Sequence, residues 1–314
     1  MASALDRFWM PTTPALRLGT VRALVGAFAL VYLLIRAPHL FSYALDDVDR
    51  FQPVGLATLA PSPTLPLVYQ GLVALTLALA VPFFLGWKHR VLAPLFAGLL
   101  LWVLTYSNSW GKILHTDNAL TFHVLILALA PAADALSLDA RHRPTPPASG
   151  RYGWPLKLMG AVVVAVYLLA GIAKLRNGGF EFLGGETLRN FVAFGNVRKI
   201  ELGSHHSPLG AWLSGYPAPF VALAGFSLLA ELVAPLALFH RRFGVWWSVA
   251  IWGFHLGVLA LMAIGFFYQL TFVAFLPFLR AERIWERRPF RRLGQRLGVA
   301  PRGDGAAQPE PVAA

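Results

Sequence analysis

The stretch "YLLAGIAKLRNGGFEFLGGETLRN", residues 167–190, decides how the chain is read. Leu168 to Ala173 suit hydrocarbon, Lys174 does not, and the chain breaks at Gly178 and Gly179 before resuming at Gly185. A charged side chain inside a span costs at least ~2.5 kcal/mol, so an intramembrane lysine is a functional-site hypothesis by default. The plain alternative is an anchor whose ammonium snorkels to the headgroups. Arg176, just beyond it, already fills that role. The glycines let the following chain fold back over Lys174, and desolvation disfavours the ammonium of a covered lysine, freeing the amine as a base or Schiff-base former.

The rest of the chain agrees with a membrane setting. Of 314 residues, 57% are hydrophobic and 13% charged, about half the ~25% charged share of soluble domains. Apolar runs that approach or reach the ~20 residues needed to cross a bilayer recur throughout. They predict spans at 18–38, 64–86, 91–107, 118–136, 155–175, 218–239, 245–263 and 264–280. The first is read as uncleaved, because Arg36-Ala37-Pro38 replaces a small-residue cleavage site, with Arg22 snorkelling at its end. The predicted fold class is all-α, a polytopic membrane bundle of about eight transmembrane helices with interfacial or re-entrant helices on the outer side. These helices are expected in "GGETLRNFVAF" and "PLGAWLSG", where apolar residues gather on short helical faces. The expected organisation is a cytoplasmic segment at 1–17, a transmembrane domain at 18–280, a basic juxtamembrane helix at 281–300 and a disordered tail at 301–314.

With eight spans, most of the 27 lysines and arginines share one side with both termini. The positive-inside rule makes that side cytoplasmic in a multi-pass protein of the cell membrane. The net charge of +12 is not an aromatic-interleaved stripe on a soluble fold, so no nucleic-acid partner is expected. The tail "RAERIWERRPFRRLGQRLG" reads as an interfacial helix whose partner is the bilayer and its anionic lipids. The chain has no cysteine, which removes disulfides, thiolate nucleophiles and cysteine metal sites.

Polar residues within the apolar spans are the other candidates. His115 and Asp117 stand at the start of the fourth span, with His123 a little further in. Asp117 caps the helix on one reading and assists a base on the other, with His115 just outside the helix. His205-His206 lack a diagnostic ligand spacing, so no metal is expected. Glu231 and His255 sit near mid-depth on spans that a short loop makes antiparallel neighbours. A mutual hydrogen bond is the cheapest way to bury both, and a proton-relay or substrate-site role is the other reading.

"AGIAKL" and "GGETLRN", preceded by "HTDNALTFHVLILALAPAADALSLDA" and followed by "AELVAPLALF" and "FHLGVLALMAIGFF", together resemble the HTTM proteins. These are bacterial relatives of the transmembrane portion of the vitamin K-dependent gamma-glutamyl carboxylase. The resemblance runs from Leu18 to Leu279, and its most specific pieces are "LSLDA" and "AG-x-x-KL". In the carboxylase the lysine of that second motif is the base that deprotonates vitamin K hydroquinone. The resemblance therefore implies that Lys174 is a base, and His115 lies near the family's histidine at the start of the fourth span. The enzyme reading has Lys174, aided by His115 or Asp117, act in an outward pocket on a quinone or hydroquinone or another lipid-soluble molecule. Two departures stand: Ala173 occupies a position often basic in the carboxylase, and its large lumenal domain has no counterpart in these 314 residues. Peptide glutamate carboxylation is not carried over. The competing class is a non-enzymatic membrane protein, a transporter or a maturation or immunity partner of another polypeptide. Inverted repeats would favour a transporter, and none is visible.

Overall fold

The computed structural model describes residues 3–60, 62–111, 116–287, 290–292 and 294. Among them the chain is helical, with no strand and one isolated β-bridge between Thr13 and Ser149. After a short α1 (Ala4–Trp9), the helices α2 (Ala15–Ser42), α3 (Pro66–Leu85), α4 (His89–Ser107) and α5 (Thr116–Leu129) pack in sequence order. Next come α6 (Gly153–Gly178), α7 (Glu186–Glu201), α8 (Pro208–Leu213), α9 (Ala218–Leu232), α10 (Leu236–Phe239), α11 (Arg241–Met262) and α12 (Phe267–Leu270).

Five helical stretches are long and apolar enough to cross a membrane: Ala15–Leu45, Pro66–Leu85, His89–Ser107, Gly150–Gly184 and Arg241–Met262. Two shorter apolar helices, Asp117–Leu129 and Ala218–Leu232, accompany them. At 1.5 Å per residue each covers only about two-thirds of a ~30 Å core. Beyond α9 the chain turns through Val233–Pro235 and continues as α10, which recovers the missing length.

The stretch expected as an eighth span is not a continuous helix. Residues 264–280 hold only α12 and a 3-10 turn, Val273–Phe278. Even so, the segment runs from one end of the bundle to the other. Upstream of it, the last carbonyls of α11 are capped by Asn196 Nδ2 (to Leu261 O, 2.9 Å), Ser207 Oγ (to Ala260 O) and Lys199 Nζ (to Met262 and Ala263 O). Downstream, Glu282 pairs with Arg17 at 2.7 Å, and Trp285 Nε1 donates to Thr20 Oγ1 near the start of α2. Irregular backbone at such depth is tolerated only inside protein. Tyr268, Gln269, Ala274, Phe275 and Phe278 are accordingly buried.

Arg22 also departs from expectation. It does not snorkel: the residue is fully buried. Its guanidinium donates to Phe83 O (2.8 Å) and Phe84 O in the last turn of α3, and to Ala132 O and Leu136 O beyond α5. Helix C-terminal carbonyls lack intrahelical partners and carry partial negative charge, so one planar cation with several donors ties these ends together. Gly86, which closes α3 at φ +63°, is needed twice. It takes the left-handed cap, and a Cβ there would lie 2.9 Å from Arg22 Cζ.

One core joins α2 to α6 with α11 and the 264–281 segment. A smaller one, Phe182 with Ala224 and Leu228, sits where the chain folds back after α6. Within the expected basic helix 281–300, the described start is a 3-10 turn, Ala281–Glu286. The tail 301–314 lies outside the described residues.

Candidate functional site

Tyr167, Gly171 and Lys174 lie at i, i+4 and i+7 along α6, so they share one face. Ser227 and Glu231, at i and i+4 along α9, present a second polar face. Gly171 brings the two helices together: a Cβ there would meet Leu232 Cδ2 at 3.0 Å and Glu231 Cβ at 3.1 Å. Side chains on a helix lean toward its N-terminus, and Lys174 is near the C-terminal end of α6. The lysine therefore reaches back into the span instead of out of it.

Its ammonium ends 2.6 Å from Glu231 Oε1, with Ser227 Oγ at a longer 3.4 Å. The rings of Phe182 and Phe254 flank it at 5.4 and 5.7 Å from Nζ to centroid. The Lys174 side chain is 26% exposed and that of Glu231 is 5% exposed. The expected pair of Glu231 with His255 is replaced by this arrangement. His255 instead bonds Tyr167, with Nε2 2.7 Å from the tyrosine oxygen and the rings edge to face. A buried carboxylate gains more from a full opposite charge than from a neutral imidazole, and the approach at Gly171 brings that charge within reach. Two buried atoms of the group have no hydrogen-bond partner among the described residues, Glu231 Oε2 and His255 Nδ1.

Phe254 is shared with an apolar groove of about 120 Å³ between α7, α9 and α11, lined also by Val192, Phe220, Phe226 and Leu261. Gly253 and Gly257 form part of its wall, and a Cβ at either would meet nothing within 4 Å. The ion pair and a lipid-type groove are thus separated by a single ring.

The HTTM domain family matches residues 10–283, a range that contains every element of this arrangement. The chain belongs to the HTTM family. No curated protein and no solved structure matches it. Its apolar helices make this HTTM protein an integral membrane protein.

The other expected residues divide in this HTTM chain. Asp117 is buried on α5 and held by Arg36 of α2 at 2.7 Å, while Tyr32 donates to its second oxygen. Lys174 and Asp117 have different partners and are not bonded to each other. His115, expected to assist them, lies outside the described residues. His123 is fully buried with both nitrogens engaged, Nδ1 by Tyr268 at 2.6 Å and Nε2 by Met159 O at 3.2 Å. A carbonyl only accepts, so Nε2 carries the hydrogen and Tyr268 donates to Nδ1. With its capacity filled, His123 ties α5 to α6 and the 264–280 segment. Among the described residues, no three His, Asp or Glu side chains gather as a metal site would require.

Sequence reasoning missed Tyr167, Ser227, Tyr32 and Arg36 as partners. The signal for Tyr167 and Ser227 was their helical spacing from Lys174 and Glu231. Arg36, four residues after Tyr32 in an apolar run, was an intramembrane charge used only to exclude cleavage. Phe182 and Phe254 carry no such signal, since apolar rings abound in the chain.

Proposed function

We infer that this chain is an HTTM membrane enzyme in which Lys174, coupled to Glu231, takes a proton from a hydroxyl of a lipid-soluble quinol. The observation that carries the reading is the 2.6 Å contact between Lys174 and Glu231 beside an apolar groove. The residues fit such a molecule. The groove suits an isoprenoid-type body, Phe254 stands between it and the ammonium, and Glu231 Oε2 and His255 Nδ1 are buried atoms with capacity for its polar ring substituents. A bound quinol would supply the acidic hydroxyl and its redox chemistry. Glu231 accepts the Lys174 proton across their hydrogen bond, which leaves a neutral amine in apolar surroundings where two separate charges are costly. Lys174 Nζ then accepts the hydroxyl proton, and Glu231 retains the balancing one. Ser227 and Tyr167 hold the amine and His255 in place.

In this reading the chain crosses the cell membrane eight times, counting the broken 264–280 segment and the α9–α10 pair. Both termini are cytoplasmic, and Lys174 faces outward beneath α7 and α8. Phe191, Phe194 and Trp212 of these helices are exposed and rest in the outer interface. The basic C-terminal segment meets anionic headgroups.

Lipids extracted from purified protein test the proposal. Mass spectrometry is expected to find a quinone with the wild-type protein and to find it depleted with a folded Lys174→Met variant. Equal quinone content in both, or none in either, rejects it. The non-enzymatic reading predicts the equal outcome.

A further inference from the structure

Opposite the Lys174 cluster, the other end of the bundle holds a second recess, a cavity of about 240 Å³ between the segment before α2, the start of α6 and the α10–α11 junction. Arg17, Lys157 and Arg241 line it, and Leu156, Phe278 and Leu279 form its apolar part. The half-buried Lys157 donates from its ammonium to Leu238 O, also on the wall of the recess, and sits 4.0 Å from the centre of the Phe8 ring. Arg241 feels the like charges of Arg280, Arg17 and Arg283, opposed by Glu282. That carboxylate is already committed, with both oxygens taken by the Arg17 guanidinium at 2.7 and 2.8 Å.

Such a gathering of cations at one mouth repels itself unless an anion joins it, and guanidinium forks match phosphate oxygens bidentately. We propose that this recess is a binding site for a phosphate group, seated between Lys157 and Arg241. A phospholipid headgroup is the favoured source, because Leu156, Phe278 and Leu279 line the recess beside the cations and fit the glycerol and upper chain. The site does not depend on the Lys174 chemistry. It is also distinct from nonspecific attraction to the basic tail, where Arg291 and Arg292 are exposed.

The test measures the melting midpoint of the full chain in detergent while dioleoylphosphatidylglycerol, dioleoylphosphatidylcholine or inorganic phosphate is added. The expected result is a saturable rise with phosphatidylglycerol, weak with phosphatidylcholine, whose choline offsets the phosphate. Arg241→Gln should raise the concentration needed by about fivefold, and so should Lys157→Met, which serves if the first variant does not fold. The tail variant Arg291→Gln/Arg292→Gln should respond like wild type, and about 1 M salt should weaken the response. A rise with inorganic phosphate alone supports the same site with a soluble ligand. No rise with either anion overturns the proposal, as does a response unchanged in both pocket variants or one lost equally in the tail variant.

Discussion

Arg22 and Lys174 are both cations inside apolar helices, yet their surroundings differ in kind. Arg22 is wholly buried, and four fixed carbonyls from two other parts of the chain surround it. Lys174 is partly open, and its one short hydrogen bond goes to a carboxylate whose other oxygen is unsatisfied. A cation saturated by backbone acceptors has no freedom to exchange a proton, and an arginine does not lose one in any case. A lysine held by one titratable partner can do so. The contrast separates scaffold from candidate chemistry within one membrane domain.

The contrast would break first at Arg22. Replacing it with Met removes the donor shared by four carbonyls and unties α3 from the segment after α5, a loss of about 4 kcal/mol. The expected outcome is a protein that no longer elutes as a monodisperse peak in detergent. A variant that melts like wild type would show that the carbonyls find other donors.

Next comes the Lys174–Glu231 pair. Glu231→Ala leaves an uncompensated ammonium and should cost about 2 kcal/mol, somewhat below a fully buried case because Lys174 is partly exposed. Lys174→Met combined with Glu231→Leu should cost less than the two single changes summed. Strict additivity in thermal melts would mean that the side chains do not interact. Tyr167→Phe removes one buried hydrogen bond to His255 and should lower stability by about 1 kcal/mol. The same loss in a His255→Ala background would refute that contact.

The smallest effect sharpens the comparison from outside the membrane. Burial alone would raise the Glu282 carboxyl, but the hydrogen bonds and charge of Arg17 outweigh it and hold the group below its usual 4.5. A depressed carboxyl contributes stability that is present above its unfolded value and is lost as pH falls through the folded one. Wild type should therefore lose up to about 1 kcal/mol relative to Glu282→Gln as pH drops below about 4.5. Parallel melting curves between pH 6 and pH 3.5 would contradict the pairing.

How legible was all this in advance? The length and apolarity of α2, α3, α4, α6 and α11 follow from local composition, because any long apolar helix must satisfy its own backbone in lipid. Lys174 and Glu231 stood out for the same local reason, as charges where charge is costly. Their pairing did not stand out. Glu231 is 57 residues from Lys174 in sequence, and the close approach at Gly171 that selects Lys174 over His255 belongs to the packing of α6 on α9. The eighth span departs from a continuous helix for a related reason. Residues 264–280 are apolar enough to be helical, but their backbone is buried among α2, α6 and α11, where protein contacts replace the need for a continuous helix.

Membrane residence, family membership and the identity of the unusual charges were thus written in the chain, since each depends on residues near one another in sequence or on a pattern of motifs. Tertiary structure alone decided which charge meets which, that Arg22 is a tie and not an anchor, that Asp117 belongs to Arg36, and that a groove opens beside Phe254. Those outcomes depend on distances between helices, and the few ångströms that separate an ion pair from two stranded charges arise only when the bundle closes.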